Sequence, residues 1–358
     1  MPLPPAPRPK APRPASRIAI VGAGIAGIAC ARTLVQAGHD VTVFEADAAV
    51  GGRMATETSP YGGFDSGAQY FTVRDKRFAL ALEATGAGCR PWSATTVRVL
   101  DPQGRVAAAG LPPRKPHWVA VPGMAALPQL WAAPLAAAGR LYTGTAVTAL
   151  ERDTLDRRRW QLRTDGATPV HAGFDTVLLA LPAPQAAALL QAADADPGAA
   201  ALAQQVEPAT MAPCWTLMLA FPQASQPGVV TLGPQWNAAR STHHRIAWLA
   251  RESSKPGRER IERWTVQASE VWSEEHRHDT PDRVRDKMLR AFAEVTGIRA
   301  TAGHAAVRLW LHAKTTQPAG RSHLWDASAG LGACGDWCIG HRVEDAFVSG
   351  LELALAVI

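Results

Sequence analysis

The sequence lacks the ligand pairs, long apolar runs and basic stripes that would mark a metalloprotein, a membrane protein or a nucleic-acid binder. Its five cysteines, Cys30, Cys89, Cys214, Cys334 and Cys338, are odd in number and widely scattered. Cys334 and Cys338 miss the C-x-x-C spacing of a zinc or thiol redox site, so both are expected to pack in the interior. His243-His244 and His276-Arg-His278 have no second ligand pair nearby, and no metal is expected. No secretory apolar segment precedes the cysteines, which points to a reducing, cytoplasmic setting. No apolar run reaches the roughly 18 residues of a membrane span. The net charge of +6 owes four positive charges to Arg8, Lys10, Arg13 and Arg17, leaving +2 for the rest. That balance, without basic residues interleaved with aromatics, excludes nucleic acid as the expected partner. No Ser-His-Asp group or carboxylate pair stands out for acid–base chemistry.

At 358 residues and 47% hydrophobic, the chain can bury a large core, and its length suggests two domains. Residues 1–15 hold seven prolines among basic residues and are expected to be a disordered tail. The informative stretch is Arg17 to Arg53. Ile18 to Val21 reads as a β-branched strand, followed by Gly22, Gly24 and Gly27 in G-x-G-x-x-G spacing and a small-residue helix from Ala26 to Ala37. Gly22 permits the tight turn, Gly24 lets backbone N–H groups approach a pyrophosphate, and Gly27 lets helix and strand pack closely. A second strand, Val41 to Phe44, ends on Glu45, the distance at which a carboxylate meets ribose hydroxyls. Gly51-Gly52-Arg53 then offers a second backbone approach, with a guanidinium placed for phosphate oxygens.

Glu45 followed by Gly51-Gly52-Arg53 resembles the FAD entry of the amine oxidase and glutathione reductase-like flavoproteins, rather than an NAD site. The resemblance implies an α/β fold: a doubly wound, Rossmann-like FAD-binding domain and a second, mostly antiparallel substrate domain. Thr176 to Leu181 reads as a buried strand returning to the first sheet, and Leu141 to Leu150 and Trp160 to Arg163 as further strands. Cys214 to Phe221, Arg245 to Ala250, Arg263 to Ala268 and Ala305 to His312 read as an antiparallel sheet. Trp215, Trp248, Trp264 and Trp310 fall within those runs, where core filling is their ordinary role. Residues 16–85, 120–188 and 325–358 are assigned to the FAD domain, and 86–119 and 189–324 to the substrate domain. The final segment reads as a strand from Gly330, a turn at Asp336, and an apolar helix from about Arg342 with Glu344 and Asp345 in its first turn.

Gly67-Ala68-Gln69-Tyr70-Phe71, Ser254-Lys-Pro-Gly-Arg258, Trp264 to Ser269 with Trp272-Ser273, Leu324 to Ala327, and Cys334 to Trp337 with Arg342-Val343-Glu344 are similar to the bacterial renalase-like FAD oxidoreductases. That resemblance implies non-covalent FAD, with Ile25, Ala26, Ala46 and Met54 joining the glycines, Glu45 and Arg53 around the nucleotide. It implies flavin contacts at Gly67, Ala68 and Gln69, adenine contacts near Val147, and a pyrophosphate edge at Leu181 and Pro182. Gly335 and Asp336 would hold the ribityl chain, and the helix start at Arg342, Val343, Glu344 and Ala346 would face the flavin pyrimidine. Gln69, Tyr70, Trp310 and Trp337 are the expected pocket walls. The implied reaction is hydride transfer from a 2- or 6-dihydro isomer of NAD(P) to flavin N5, with reoxidation by O2 to hydrogen peroxide. One departure touches the substrate: Arg308, Leu309, Leu311 and His312 stand where the family has other residues around Trp310. An amine or other small-molecule oxidase, and a non-catalytic FAD-stabilised binding protein, remain as alternatives.

Overall fold

The computed structural model describes residues 15–86, 88–93, 97–109, 115–193, 196–225 and 236–358. The expected tail lies outside the described residues except for Ala15.

Strand Arg17–Val21 is the centre of a six-stranded sheet because its alternate side chains are apolar on both faces. Ile18 and Ile20 pack with helix Ile25–Gln36 and the C-terminal helix Val343–Val357, while Ala19 and Val21 face Trp160, Leu190 and Leu202. A strand buried on both faces suits a parallel sheet. The strand order is Leu324–Asp326, Leu331–Ala333, Thr176–Leu179, Arg17–Val21, Asp40–Phe44 and Leu141–Tyr142, parallel throughout except for the antiparallel Leu324–Asp326 edge. The two helices touch closely at Gly350, where a Cβ would lie 2.1 Å from the Ala26 carbonyl oxygen. That contact draws the C-terminal helix onto the first one beside the glycine loop.

The run read as one strand from Leu141 to Leu150 divides. Leu141–Tyr142 ends the parallel sheet, whereas Val147–Arg152 opens a separate antiparallel sheet with Trp160–Thr164 and Val170–Phe174. Gly144, at φ +60°, turns the chain between them, and the N–H of Thr145 donates to the Glu45 carbonyl at 2.8 Å. Apolar periodicity carries no sign of that turn.

A second, seven-stranded sheet runs His304–Gln317, Thr210–Phe221, Glu262–Ala268, Ile246–Arg251, Ala238–Ser241, Arg98–Leu100 and Val106–Ala109. Every neighbouring pair is antiparallel except Ala238–Ser241 with Arg98–Leu100. Helix Pro281–Thr296 covers one face through Val284, Met288, Phe292 and Val295, which pack with Trp264 and Phe221. The fold is thus α/β, a Rossmann-like unit joined to a mostly antiparallel sheet. On sheet membership we propose the same division as above, 16–85, 120–188 and 325–358 against 86–119 and 189–324. Among the described residues no helix is long and apolar enough to cross a membrane.

Candidate active site

The glycine loop builds a cradle from backbone alone. Gly22 sits at φ +103°, and a Cβ there would fall 2.5 Å from the Ala180 carbonyl oxygen, so the turn admits only glycine. At Gly24 an added Cβ would meet nothing within 4 Å, which leaves open space beside the start of helix Ile25–Gln36, an end without a side-chain cap. A helix N-terminus next to open space, with its N–H groups unclaimed by side chains, suits a phosphate. Gly51 approaches from the other side through a bridge to Gly24, and Gly51 N–H donates to the Ala23 carbonyl at 3.2 Å.

Glu45 closes the cradle's second end. Its carboxylate accepts the N–H of Ala23 at 2.6 Å and of Asp47 at 2.9 Å and is largely buried. Burial pushes its pKa up, against the two N–H bonds that pull it down. Each oxygen retains a lone-pair site for a ribose hydroxyl. Ala46 is exposed beside it, and Ile25, Ala26 and Met54 are buried beneath the loop.

Arg53 and Asp336 meet across the molecule. The guanidinium donates to both carboxylate oxygens, at 2.9 and 2.6 Å, and Thr315 Oγ1 donates to Asp336 Oδ2 at 3.1 Å. The two side chains expected at the phosphate and the ribityl chain are thus paired with each other, and the Arg53 guanidinium keeps N–H groups beyond the two that Asp336 takes. Only 26% of the Arg53 side chain is exposed, and His312 nearby has its pKa lowered by burial and then by the charges of Arg53 and Arg277.

The turn after strand Gly62–Asp65 lies against this loop. Ala68 N–H donates to the Arg53 carbonyl at 2.8 Å. Beneath it the Ser254-Lys-Pro-Gly-Arg258 motif meets Asp65 in a group of buried charges whose meeting the sequence did not foretell. Asp65, Glu252 and Lys255 have fully buried side chains, and Arg258 is 2% exposed. Asp65 accepts from Thr56 Oγ1 at 2.8 Å, Met124 N–H at 2.9 Å, Lys255 Nζ at 2.9 Å and Arg258. Burial pushes the Asp65 carboxyl up, but the charges of Lys255 and Arg258 outweigh it and the net shift is down; for Glu252 burial wins and the shift is up. No local pattern announces that these residues meet, because Lys255 and Asp65 are 190 positions apart.

An aromatic wall stands beside the turn. The Tyr70 ring stacks on His117 at 3.9 Å and 29°, with Trp248 at 5.8 Å and Trp92 at 6.5 Å. Trp92 Nε1 donates to Ser254 Oγ at 2.9 Å, whereas Trp248 Nε1 is buried without a hydrogen-bond partner among the described residues. Tyr70 is thus packed among His117, Trp92 and Trp248, of which the sequence pointed only to Trp248, as core.

Of the other expected walls, Trp337 and Gln69 are turned inward and Trp310 stays partly open. Trp337 is 0% exposed, packed in the core under the sheet, with Nε1 donating to the Leu181 carbonyl at 2.9 Å. Gln69 is turned inward, its Oε1 accepting from Lys255 Nζ at 3.2 Å and its amide nitrogen donating to the Asp65 and Gly67 carbonyls. Trp310 is half-buried, donates to the Ser66 carbonyl at 3.0 Å and is covered by the Arg308 guanidinium at 3.8 Å. Arg308 in turn pairs with Glu57 at 3.0 Å and Asp47 at 3.8 Å, so its charge is spent within the protein. The Glu344 carboxylate accepts the N–H groups of Arg74 and Asp75. Arg342 caps the C-terminal helix, with Asp345 reaching back to its N–H, while Val343 is half-buried and Ala346 buried. Gly335 N–H donates to Ser349 Oγ at 3.0 Å. Val147 pairs with Thr164, and Pro182 starts helix Ala183–Ala192.

Fold and site together define an α/β protein with a Rossmann-like glycine cradle, a buried acid beside it and a second, mostly antiparallel sheet. Residues 20–81 match the NAD(P)-binding Rossmann-like domain, and residues 108–358 match the flavin containing amine oxidoreductases. The chain belongs to that amine oxidoreductase family, and its cofactor is FAD. Among curated relatives, it is 44% identical over 59 residues to the hydroxyneurosporene desaturase of Cereibacter sphaeroides, a match covering 16% of this chain and 12% of that one. It is 39% identical over 70 residues to protoporphyrinogen oxidase 2 of Arabidopsis thaliana, covering 20% and 14%. These matches therefore span less than a sixth of either relative. Two solved structures share the fold over nearly full length. Cyclohexylamine oxidase from Brevibacterium oxydans gives a TM-score of 0.70 at 14% identity, covering 96% of this chain and 99% of that one. Putrescine oxidase bound to putrescine gives 0.68 at 11%, covering 96% and 99%. The open space at Gly24, the uncapped helix and the spare acceptor sites of Glu45 fit FAD.

Proposed function

We propose that the protein is an FAD-dependent oxidase that takes a hydride from a dihydropyridine, a 2- or 6-dihydro isomer of NAD(P), and passes the electrons to O2 as hydrogen peroxide. The observation that carries this reading is the wall of Tyr70, His117 and Trp248 beside the Gly67-Ala68 turn. Flat, closely spaced rings favour a flat ring as their partner. Bound FAD supplies the hydride acceptor, at N5. The glycine loop would seat the dinucleotide, Glu45 would hold its ribose, and the rings beside the Gly67-Ala68 turn would orient the donor. No base is required, since a dihydropyridine loses no proton before hydride leaves. Asp65 and Glu252, the buried acids near the turn, are held in ion pairs. FAD is held without a covalent bond, since Cys334 and Cys338 are core thiols, with burial pushing Cys338 up to about 12. Five free cysteines suit a reducing compartment.

A second reading, an amine or other small-molecule oxidase, is favoured by the family match over residues 108–358. It requires a neutral amine, and hence a rate rising with pH toward the amine's own pKa. Anaerobic mixing separates the two. Equilibrated NADH isomers should bleach the flavin rapidly, pure β-NADH little, and primary amines not at all. Bleaching by amines alone assigns the protein to the second reading; bleaching by neither makes it an FAD-stabilised binding protein.

A further inference from the structure

Ser254-Lys-Pro-Gly-Arg258 takes no part in that reaction, yet it carries two deeply buried cations. Lys255 and Arg258 leave the connection between substrate-sheet strands Ile246–Arg251 and Glu262–Ala268 and end against the turn after strand Gly62–Asp65. The Lys255 ammonium donates to Asp65 Oδ2 at 2.9 Å, Glu252 Oε1 at 2.8 Å and Gln69 Oε1 at 3.2 Å. These acceptors use all three of its protons. A compact ammonium converges on three such points; a planar guanidinium fork does not.

Gln69, so oriented, donates its amide N–H to the Gly67 carbonyl at 3.1 Å. That carbonyl also accepts Gln267 Nε2 at 2.7 Å, a second tie from the substrate sheet. The opposite side of the turn rests on Arg53. A Cβ at Gly67 would lie 2.1 Å from the Arg53 carbonyl oxygen, which accepts the Ala68 N–H. The contacts therefore run from the substrate sheet through Lys255, Gln69 and Gly67-Ala68 to Arg53, next to the cradle.

We propose that Lys255 is a positioning residue for the cofactor: through Gln69 it holds the Gly67-Ala68 turn against the Arg53 loop and so links the FAD seat to the substrate sheet. The proposal rests on FAD lying in the glycine cradle and is independent of which donor reduces it. A merely structural role makes a different prediction. Replacing a buried ion pair by apolar residues together is often neutral for stability. The double variant Lys255→Met/Glu252→Leu removes the cation and one partner while leaving Asp65 paired with Arg258.

Apart from the Thr265 hydroxyl, which loses its Glu252 acceptor, the double variant leaves no new charge unpaired and should stay folded, yet bind FAD about tenfold or more weakly, the scale of one lost charge-assisted hydrogen bond. The visible bands of its bound flavin should also shift. Gln69→Leu should give a comparable loss, and adding it to the double variant should cost little more, because both cut one link. Parental FAD affinity and spectrum in the double variant would overturn the proposal, as would full additivity. If the double variant does not fold, Gln69→Leu alone decides, since it leaves Lys255 paired with both carboxylates: unchanged affinity and spectrum there would equally sink the idea. Affinity and spectrum are read without any donor, so failure of the dihydropyridine reading leaves this test intact.

Discussion

The glycine cradle and the Gly67-Ala68 turn lie side by side, but they are built by opposite means. The cradle from Gly22 to Arg53 is backbone: a left-handed glycine, an uncapped helix end and one acid, all within 32 residues of sequence. The turn depends on side chains brought from afar, with Lys255 and Arg258 reaching Asp65 across 190 and 193 positions. Backbone recognition is tolerant of what surrounds it, whereas a buried ionic network depends on every partner at once. The cradle should therefore fail by steric exclusion and the turn by uncompensated charge.

The largest effect is expected from Gly22→Val. A β-branched residue at φ +103° with its Cβ 2.5 Å from the Ala180 carbonyl oxygen forces strand and loop apart, at a cost of about 3 kcal/mol or more. Flavin content after purification should fall to background; a yellow, stable Gly22→Val protein would show that the loop is looser than drawn.

Asp65→Leu comes next, leaving Lys255 and Arg258 without their shared carboxylate. Removing one side of a buried pair costs about 3–5 kcal/mol, measurable by denaturant unfolding. The pH dependence has a definite sign. The Asp65 pKa is lowered in the folded state, so as pH falls the unfolded chain takes up the proton first. Its stabilisation is present in full above the ordinary value of 3.8 and is lost as pH drops through the lower, folded value. Asp65→Leu should flatten that acid limb, and an unchanged limb would assign it to other carboxylates.

Glu45→Ala tests the cradle without strain. Loss of charge-assisted ribose hydrogen bonds worth about 1.5 to 3 kcal/mol should weaken FAD binding roughly ten- to hundredfold, read by titrating the apoprotein. Parental affinity would remove Glu45 from the nucleotide site.

Arg308→Ala should do least. Its pairs with Glu57 and Asp47 are about one third exposed or more, and such pairs are worth about 1 kcal/mol or less. Melting temperature should barely move, and bleaching by NADH isomers should persist; a selective loss of bleaching would place Arg308 on the donor after all.

The two regions also differ in how far the sequence reveals them. Gly22, Gly24, Gly27, Glu45 and Gly51 were readable because a glycine loop works through main-chain geometry, which a short run of residue types specifies. Four of the seven strands of the second sheet were readable as apolar runs, although not their order or the parallel pairing of Arg98–Leu100. Trp337 was misplaced because a tryptophan beside a turn has the same letter whether it faces a pocket or, as here, the Leu181 carbonyl. Gln69 failed for the same reason, with its amide turned to Lys255 rather than outward.

By itself the sequence determined a dinucleotide cradle and its flavin-type extension, since strand, turn, helix and acid are contiguous and their chemistry is carried by local backbone. Only the tertiary structure decided that Arg53 pairs with Asp336, 283 positions away, that Tyr70 stacks on His117, and that Lys255 lies beneath the turn. Those contacts join elements whose approach is set by sheet packing, and side-chain direction at such a junction is fixed by the neighbours the fold supplies.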